Sequence, residues 1–334
     1  MRVLIVATPT PSGTAEEFGR AVSGPWSEWA EEDDLTVLRL PHNGRGLLDS
    51  LEEHGFRRSG GLAVRDRTHV IDAESLLAGQ SFFDGTTASL APALIAALDA
   101  GTGTIVVGLA PATAHDGGRG LLGALASRWG SVEAARAAFT GTGLVLAISS
   151  GLPLLGLSGA GAALAPVVGP EAAHAREREI GDWAAAMERE HAPRDLVSGR
   201  PLRLSTAPGS GLAGGAGFAL LLLGARSEFA ADWVAGATGL DGAVRTSDLA
   251  VVVIPALDAD TMDSSALTAV ATRAAEEAVP VVALVGEEQV SRRARAGLGI
   301  AGVYETAGNT FDPDSVAQVA ARVARTWSRP ESRW

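Results

Sequence analysis

Five short segments, Val3–Val6, Thr104–Val107, Leu249–Ile254, Val279–Val285 and Ile300–Tyr304, are built almost wholly of apolar residues. A strand with one face in water alternates apolar and polar side chains. A continuous run needs cover on both faces, as in a parallel sheet between helical layers. Helical patterns lie between the runs. Ala266–Ala278 leads into Pro280-Val281-Val282, and Asp312-Pro313 supplies an N-cap and a first-turn proline for a last helix reaching about Trp327. The outer parts of the chain therefore predict a doubly wound α/β domain. The middle has another texture. From Arg57 to Leu77 strand-like pieces are broken by Gly60-Gly61 and by charges. Glu171–His191 predicts an amphipathic helix with Ile180, Trp183, Ala184 and Met187 on one face. A second, smaller domain inserted into the first is expected.

The length of 334 residues, with 46% apolar and 20% charged residues, suits two domains with a sizeable core. All 27 basic residues are arginine. A P-loop lysine, a Schiff-base lysine and a lysine general base are therefore excluded, because the planar, permanently charged guanidinium replaces none of them. The formal charge of −12 argues against broad binding to nucleic acid or to an anionic membrane. The chain has no cysteine, which excludes disulfides, thiolate metal sites and a cysteine nucleophile. The apolar run after Met1 is shorter than the roughly 7–15 residues of a signal-peptide core, so a cytoplasmic location is expected. Two uncharged stretches, 137–170 and 204–225, are too broken by glycine and proline to span a membrane and are expected to be buried strands and glycine loops.

Four segments are rich in glycine: Ser12-Gly13, Asn43-Gly44-Arg45-Gly46, Asp116-Gly117-Gly118-Arg119-Gly120, and Pro208-Gly209-Ser210-Gly211-Leu212-Ala213-Gly214-Gly215-Ala216-Gly217. Each precedes a helical pattern. Such a loop either makes a tight turn or aims backbone N–H groups and a helix dipole at an anion. Their order makes the chain resemble the glycerate kinase family, ATP-dependent enzymes that phosphorylate D-glycerate. Leu98-Asp99-Ala100-Gly101, Ile105-Val106-Val107-Gly108 and the Asp116–Gly120 loop resemble that family's helix, strand and Asp-Gly-Gly-x-Gly segment. Pro153-Leu154-Leu155-Gly156 with Gly159-Ala160 resembles its Pro-Leu-Leu-Gly loop, Pro208–Gly217 its Pro-Gly-Ala-Gly-Ala-Ala-Gly-Gly-Leu-Gly signature, and Asp248-Leu249 through Leu257-Asp258 and Thr261 its late strand and loop. The resemblance covers nearly the whole length. It implies a flavodoxin-like (Rossmann-like) domain of residues 1–53, 86–130 and 228–334, a second α/β domain of 54–85 and 131–227, and a cleft between them.

Scaffold is retained and charged chemistry is missing. Where the family reads Pro-Asp-Ser-Phe-Lys-Gly after the first strand, this chain reads Thr8-Pro9-Thr10-Pro11-Ser12-Gly13. Where it reads Asp-Gly-Gly-Glu-Gly, this chain has His42-Asn43-Gly44-Arg45-Gly46. Its Asp and Asn before the Pro-Leu-Leu-Gly loop correspond to Ser149 and Leu152, its Gln-Lys to Val167-Val168, a glutamate to Ile254, and a late Gly-Lys to Ser264-Ser265. Phosphoryl transfer depends on a carboxylate-held metal and on cationic side chains. Only Asp116 and Asp258 remain as acidic candidates. The expectation is a catalytically impaired, pseudokinase-like homologue without a metal site or cofactor, serving as a binding, regulatory or interaction protein. The alternative is an active glycerate-type kinase using ATP, Mg²⁺, Asp116 and Asp258. The residues expected around a ligand are Ser12, Gly13, His42, Arg45, His115, Gly117, Gly118, Arg119, Gly209, Gly211, Gly214, Gly215 and Thr261. A small anionic or hydroxy-acid ligand fits His42, Arg45, His115 and Arg119. A protein partner or a homodimer is also open.

Other motifs carry less. The six histidines form no His-x-x-x-His pair, and no Gly-x-Ser-x-Gly elbow fits a strand-to-helix turn. Trp26, Trp29, Trp129, Trp183, Trp233, Trp327 and Trp334 are scattered and are expected to pack. Arg292-Arg293-Ala294-Arg295 is expected to be a solvated helix face or a partner contact.

Overall fold

A computed structural model describes residues 1–329; Trp334 lies outside them. The strands are β1 (Arg2–Ala7), β2 (Asp34–Arg39), β3 (Arg57–Ser59), β4 (Leu62–Arg65), β5 (Thr68–Asp72), β6 (Thr104–Leu109), β7 (Gly143–Ile148), β8 (Arg226–Phe229), β9 (Leu249–Leu257), β10 (Val281–Glu288) and β11 (Ile300–Glu305). The chain divides into two compact units: Met1–His54 with Ala231 onward, and Gly55–Ala230.

Unit 1 holds a wholly parallel sheet of order β11-β10-β9-β1-β2. Counted within the unit, that order is 2-1-3-4-5, the flavodoxin-like winding, with its switch point between β1 and β9. Val3, Ile5 and Ala7 with Leu249, Val251 and Val253 pack against helices Ala15–Trp29 and Pro313–Trp327. The alternate residues Leu4, Val6, Ala250 and Val252 are equally buried, and helix Ala266–Glu276 packs on β9 and β10. Cover on both faces is why these strands carry no polar alternation. Trp26 is fully buried and donates from Nε1 to Asp33 Oδ2 at 2.8 Å. The last helix starts at Pro313 with Asp312 as its cap, as its sequence predicts.

Unit 2 holds the order β3-β4-β5-β6-β7-β8, antiparallel between β3, β4 and β5 and parallel from β5 to β8. Helix Pro170–His191 buries Ile180 and Ala184 in this unit's core, with Trp183 and Met187 packed alongside. Two expectations are corrected. Unit 2, the continuous stretch Gly55–Ala230, is not the smaller of the two. Residues 86–130 belong to unit 2, because β6 lies between β5 and β7, in register with both. A continuous apolar run such as Ile105–Val107 suits a central strand of either sheet, so hydrophobicity alone could not assign it. No helix among the described residues is long and apolar enough to cross a membrane.

Candidate functional site

In an open parallel sheet, ligands bind beyond the carboxyl ends of the strands at the switch point. In unit 1 the chain leaves β1 through Thr8–Gly13, β2 through Leu40–Gly46, and β9 through Asp258–Thr261. Thr8 Oγ1, fully buried, donates to Val253 O at 2.9 Å and ties β1 to β9 at this edge. Thr10 and Gly13 close a turn through Thr10 N to Gly13 O at 2.9 Å, and Ser12 Oγ donates to Phe311 O. Asn43 and Gly44 have φ of 47° and 84°, and His42 and Arg45 exchange backbone bonds of 3.1 and 2.9 Å. This is the type I′ turn that Asn-Gly favours, so the second glycine loop is a tight turn and leaves Arg45 exposed. A Cβ on Gly46 would lie 2.6 Å from Pro9 Cγ, so the β1 and β2 loops pack directly on each other. His42 is buried; burial holds its imidazole pKa below the ordinary value, and the Asp258 charge partly offsets that. His42 and Asp258 are thus electrostatic neighbours. Asp258, however, is the cap of helix Ala259–Ser264: its Oδ1 accepts from Thr261 N at 2.8 Å and Thr261 Oγ1 at 3.0 Å.

The other glycine loops lie in unit 2 and interlock. Gly117 N donates to Gly214 O at 2.9 Å, and Ala213 N to Ala110 O at 2.8 Å at the end of β6. A Cβ on Gly214 would lie 2.4 Å from Ala114 O, and one on Gly215 2.4 Å from the Gly117 carbonyl carbon. One on Gly209 would meet Ile148 Cγ2 at 2.4 Å, and one on Gly211 Pro153 O at 2.3 Å. These glycines permit loop-on-loop contact.

Asp116 stands at the centre of this arrangement. Its Oδ1 accepts from Gly118 N at 2.9 Å and Thr87 Oγ1 at 2.8 Å; its Oδ2 accepts from Thr87 N at 2.9 Å, Thr86 Oγ1 at 3.0 Å and Gly120 N at 3.1 Å. Leu121 N, in the first turn of helix Arg119–Trp129, donates to Thr87 Oγ1 at 3.0 Å. A glycine loop opening a helix offers such N–H groups to an anion. Here the chain's own carboxylate and a threonine hydroxyl take that place.

Arg119 is likewise engaged. Its guanidinium pairs with Glu179, donates from Nη2 to Glu179 O at 2.6 Å and lies 5.4 Å from the Trp183 ring centroid. His115 is 2% exposed, its ring 6.2 Å from that of Phe82, and its Nδ1 has no hydrogen-bond partner. Burial lowers its pKa to about 4; nearby Asp116 opposes the shift, Arg176 adds to it, and a bond to the Gly214 backbone opposes it. The imidazole is neutral at ordinary pH. Thr86, Thr87, Glu179 and Trp183 were not singled out as site residues in the sequence. The paired hydroxyls Thr86-Thr87 are the only signal that could have marked a carboxylate's partners.

The sequence profile of the glycerate kinase family matches residues 131–329, well over half of the chain. The chain belongs to the glycerate kinase family. An uncharacterized protein of Mycobacterium bovis and one of Mycobacterium tuberculosis are each 31% identical to this family member over 209 residues, 62% of its length and 51% of theirs. The chain thus spans about half the length of these curated relatives. The crystal structure of "putative glycerate kinase 2" from Salmonella typhimurium LT2 superposes with a TM-score of 0.70 at 19% identity, over 98% of both chains, and shows the shared α/β fold. Three of the residues that the resemblance sets against charged or polar positions differ in their surroundings. Ser265 caps helix Ala266–Glu276 and donates to Thr261 O at 2.5 Å, and Ile254 is fully buried in β9. Ser149, at the end of β7, is buried with its Oγ unpartnered.

Proposed function

We propose that this member of the glycerate kinase family does not phosphorylate glycerate and serves as a binding or regulatory protein. The observation that carries the reading is the state of Asp116: both carboxylate oxygens are occupied by donors from its own loop and from Thr86-Thr87. A carboxylate so used has little capacity left for Mg²⁺, which demands near-ideal octahedral oxygen geometry. Asp258 is the remaining acidic candidate, and it caps a helix with Oδ1. The family's lysine positions at Ser12, Val168 and Ser265 carry no charge. Loss of single catalytic donors typically costs roughly 3–4 kcal/mol of transition-state stabilisation, so several such losses leave little acceleration.

A coupled assay with ATP, Mg²⁺ and D-glycerate tests the proposal, with Asp258→Asn beside the unmodified chain. Asparagine preserves the helix cap, so this variant separates chemistry from folding. The expected result is no turnover from either protein. Turnover by the unmodified chain that disappears in Asp258→Asn would establish the active alternative.

A further inference from the structure

At the edge of the unit 2 sheet where β5, β6 and β7 begin, opposite the glycine loops, there is an open, solvent-facing pocket of about 390 Å³ lined by Arg67, Asp99, Thr102, Trp129, Thr140 and Thr142 among others. Its size falls within the range of about 300–1,000 Å³ of small-molecule sites. Its walls are turns joined by backbone bonds. Gly103 N and Thr104 N both donate to Arg67 O, at 2.8 and 3.0 Å, and Gly143 N donates to Gly103 O at 2.9 Å. Thr102, 4% exposed, is held through Oγ1 to Ala97 O at 2.6 Å and to His69 Nδ1 at 2.7 Å. Thr142 Oγ1 donates to Thr102 O at 3.3 Å. The half-buried Trp129 packs edge-on to Phe139 with centroids 6.4 Å apart. A cavity with walls fixed in this way loses little entropy when a ligand enters.

The charged groups of this cavity are not consumed by the fold. Asp99 is exposed and has no hydrogen-bond or ion-pair partner among the described residues. Arg67 makes one hydrogen bond, from Nη2 to Gly101 O at 3.1 Å, and no ion pair among the described residues. A carboxylate and a guanidinium therefore line one cavity without pairing, beside an indole. A small zwitterion, carrying an ammonium and a carboxylate, matches that pattern, and the free α-amino acids are the smallest common class of such ligands. We propose that this cavity binds a free α-amino acid, with its ammonium at Asp99, its carboxylate at Arg67 and its side chain against Trp129. The guanidinium meets a carboxylate in a charge-assisted geometry, and the indole supplies apolar area without further ordering cost.

The test is isothermal titration calorimetry with the standard L-α-amino acids, their N-acetyl and carboxamide derivatives, and the matching α-hydroxy acids. At least one amino acid binds with a sub-millimolar Kd, and each derivative and the hydroxy acid bind at least about tenfold more weakly, about 1.4 kcal/mol. Asp99→Asn, at a side chain that makes no contact needed for folding, lowers affinity by at least the same factor. Asp241→Asn, in unit 1, leaves it unchanged. No heat from any amino acid at millimolar concentration overturns the proposal. So does equal binding of the hydroxy acid, or an Asp99→Asn protein that binds normally. Phosphoryl transfer enters none of these readouts, so this proposal and the catalytic one fail separately.

Discussion

At the scale of single residues, Asp116 and its neighbour His115 set the character of the unit 2 loops. Replacing Asp116 by Asn puts an amide NH₂ where one carboxylate oxygen accepts hydrogen bonds, so some of Gly118 N, Gly120 N, Thr87 N and the two hydroxyls lose their acceptor. A buried or half-buried donor left unpaired costs about 1–3 kcal/mol. Asp116→Asn is therefore expected to destabilise the protein by about 2–4 kcal/mol, read from urea unfolding midpoints at constant slope. His115 contributes a pH dependence of known sign. Its native pKa of about 4 lies below its unfolded value near 6.5, so the unfolded chain takes up the proton first as pH falls. Its contribution is intact above about pH 6.5, declines between about 6.5 and 4 by roughly 3 kcal/mol, and is level below. His115→Phe removes that decline, and urea titrations at pH 7, 5 and 4 show the variant gaining on the unmodified chain toward acid. Sequence marked both residues as ligand groups. It could not show the partners of Asp116, because Thr86-Thr87 lies about thirty residues upstream.

At the scale of elements, local signals were the most legible. The continuous apolar runs became strands, those of β1, β6, β9 and β10 covered on both faces and the edge run of β11 only half-buried, and Asp312-Pro313 opened the last helix, because these depend on neighbouring residues. Asn43-Gly44 suits a tight turn, and the structure forms that turn. What was illegible was pairing at a distance, as for β6, whose apolar residues suit either sheet. The two unit 2 glycine loops make the same point: their glycines answer to each other's backbone. Gly215 has φ of 93° and a virtual Cβ 2.4 Å from the Gly117 carbonyl carbon. Gly215→Ala is expected to cost at least about 3 kcal/mol or to abolish folding. Gly236, exposed within helix Ala230–Thr238, has nothing within 4 Å of its Cβ position. Gly236→Ala is expected to gain up to about 1 kcal/mol. Thermal unfolding of the two variants side by side separates loop interlock from a general intolerance of alanine. Asp258→Ala, losing a capping box, is expected to cost about 1 kcal/mol by the same measurement.

At the scale of the molecule, the chain keeps the α/β framework of its family through both sheets; on the proposed function, serine, valine, isoleucine and arginine stand where the resemblance sets that family's lysines and carboxylates. Substitution of lysine by arginine alone would have preserved positive charge at these positions. Ser265 instead caps a helix, Ser12 binds a backbone carbonyl, and Asp116 fills the anion place of its own glycine loop. On the proposed function, this framework holds a fold and does not move a phosphoryl group. Its most direct test is a long incubation of the protein, at a concentration stoichiometric with ATP, with Mg²⁺ and D-glycerate, followed by ³¹P NMR. The expected result is unchanged ATP and no phosphoglycerate resonance beyond a protein-free control. A phosphoglycerate signal that grows with protein concentration, and is absent with Asp258→Asn, would contradict it.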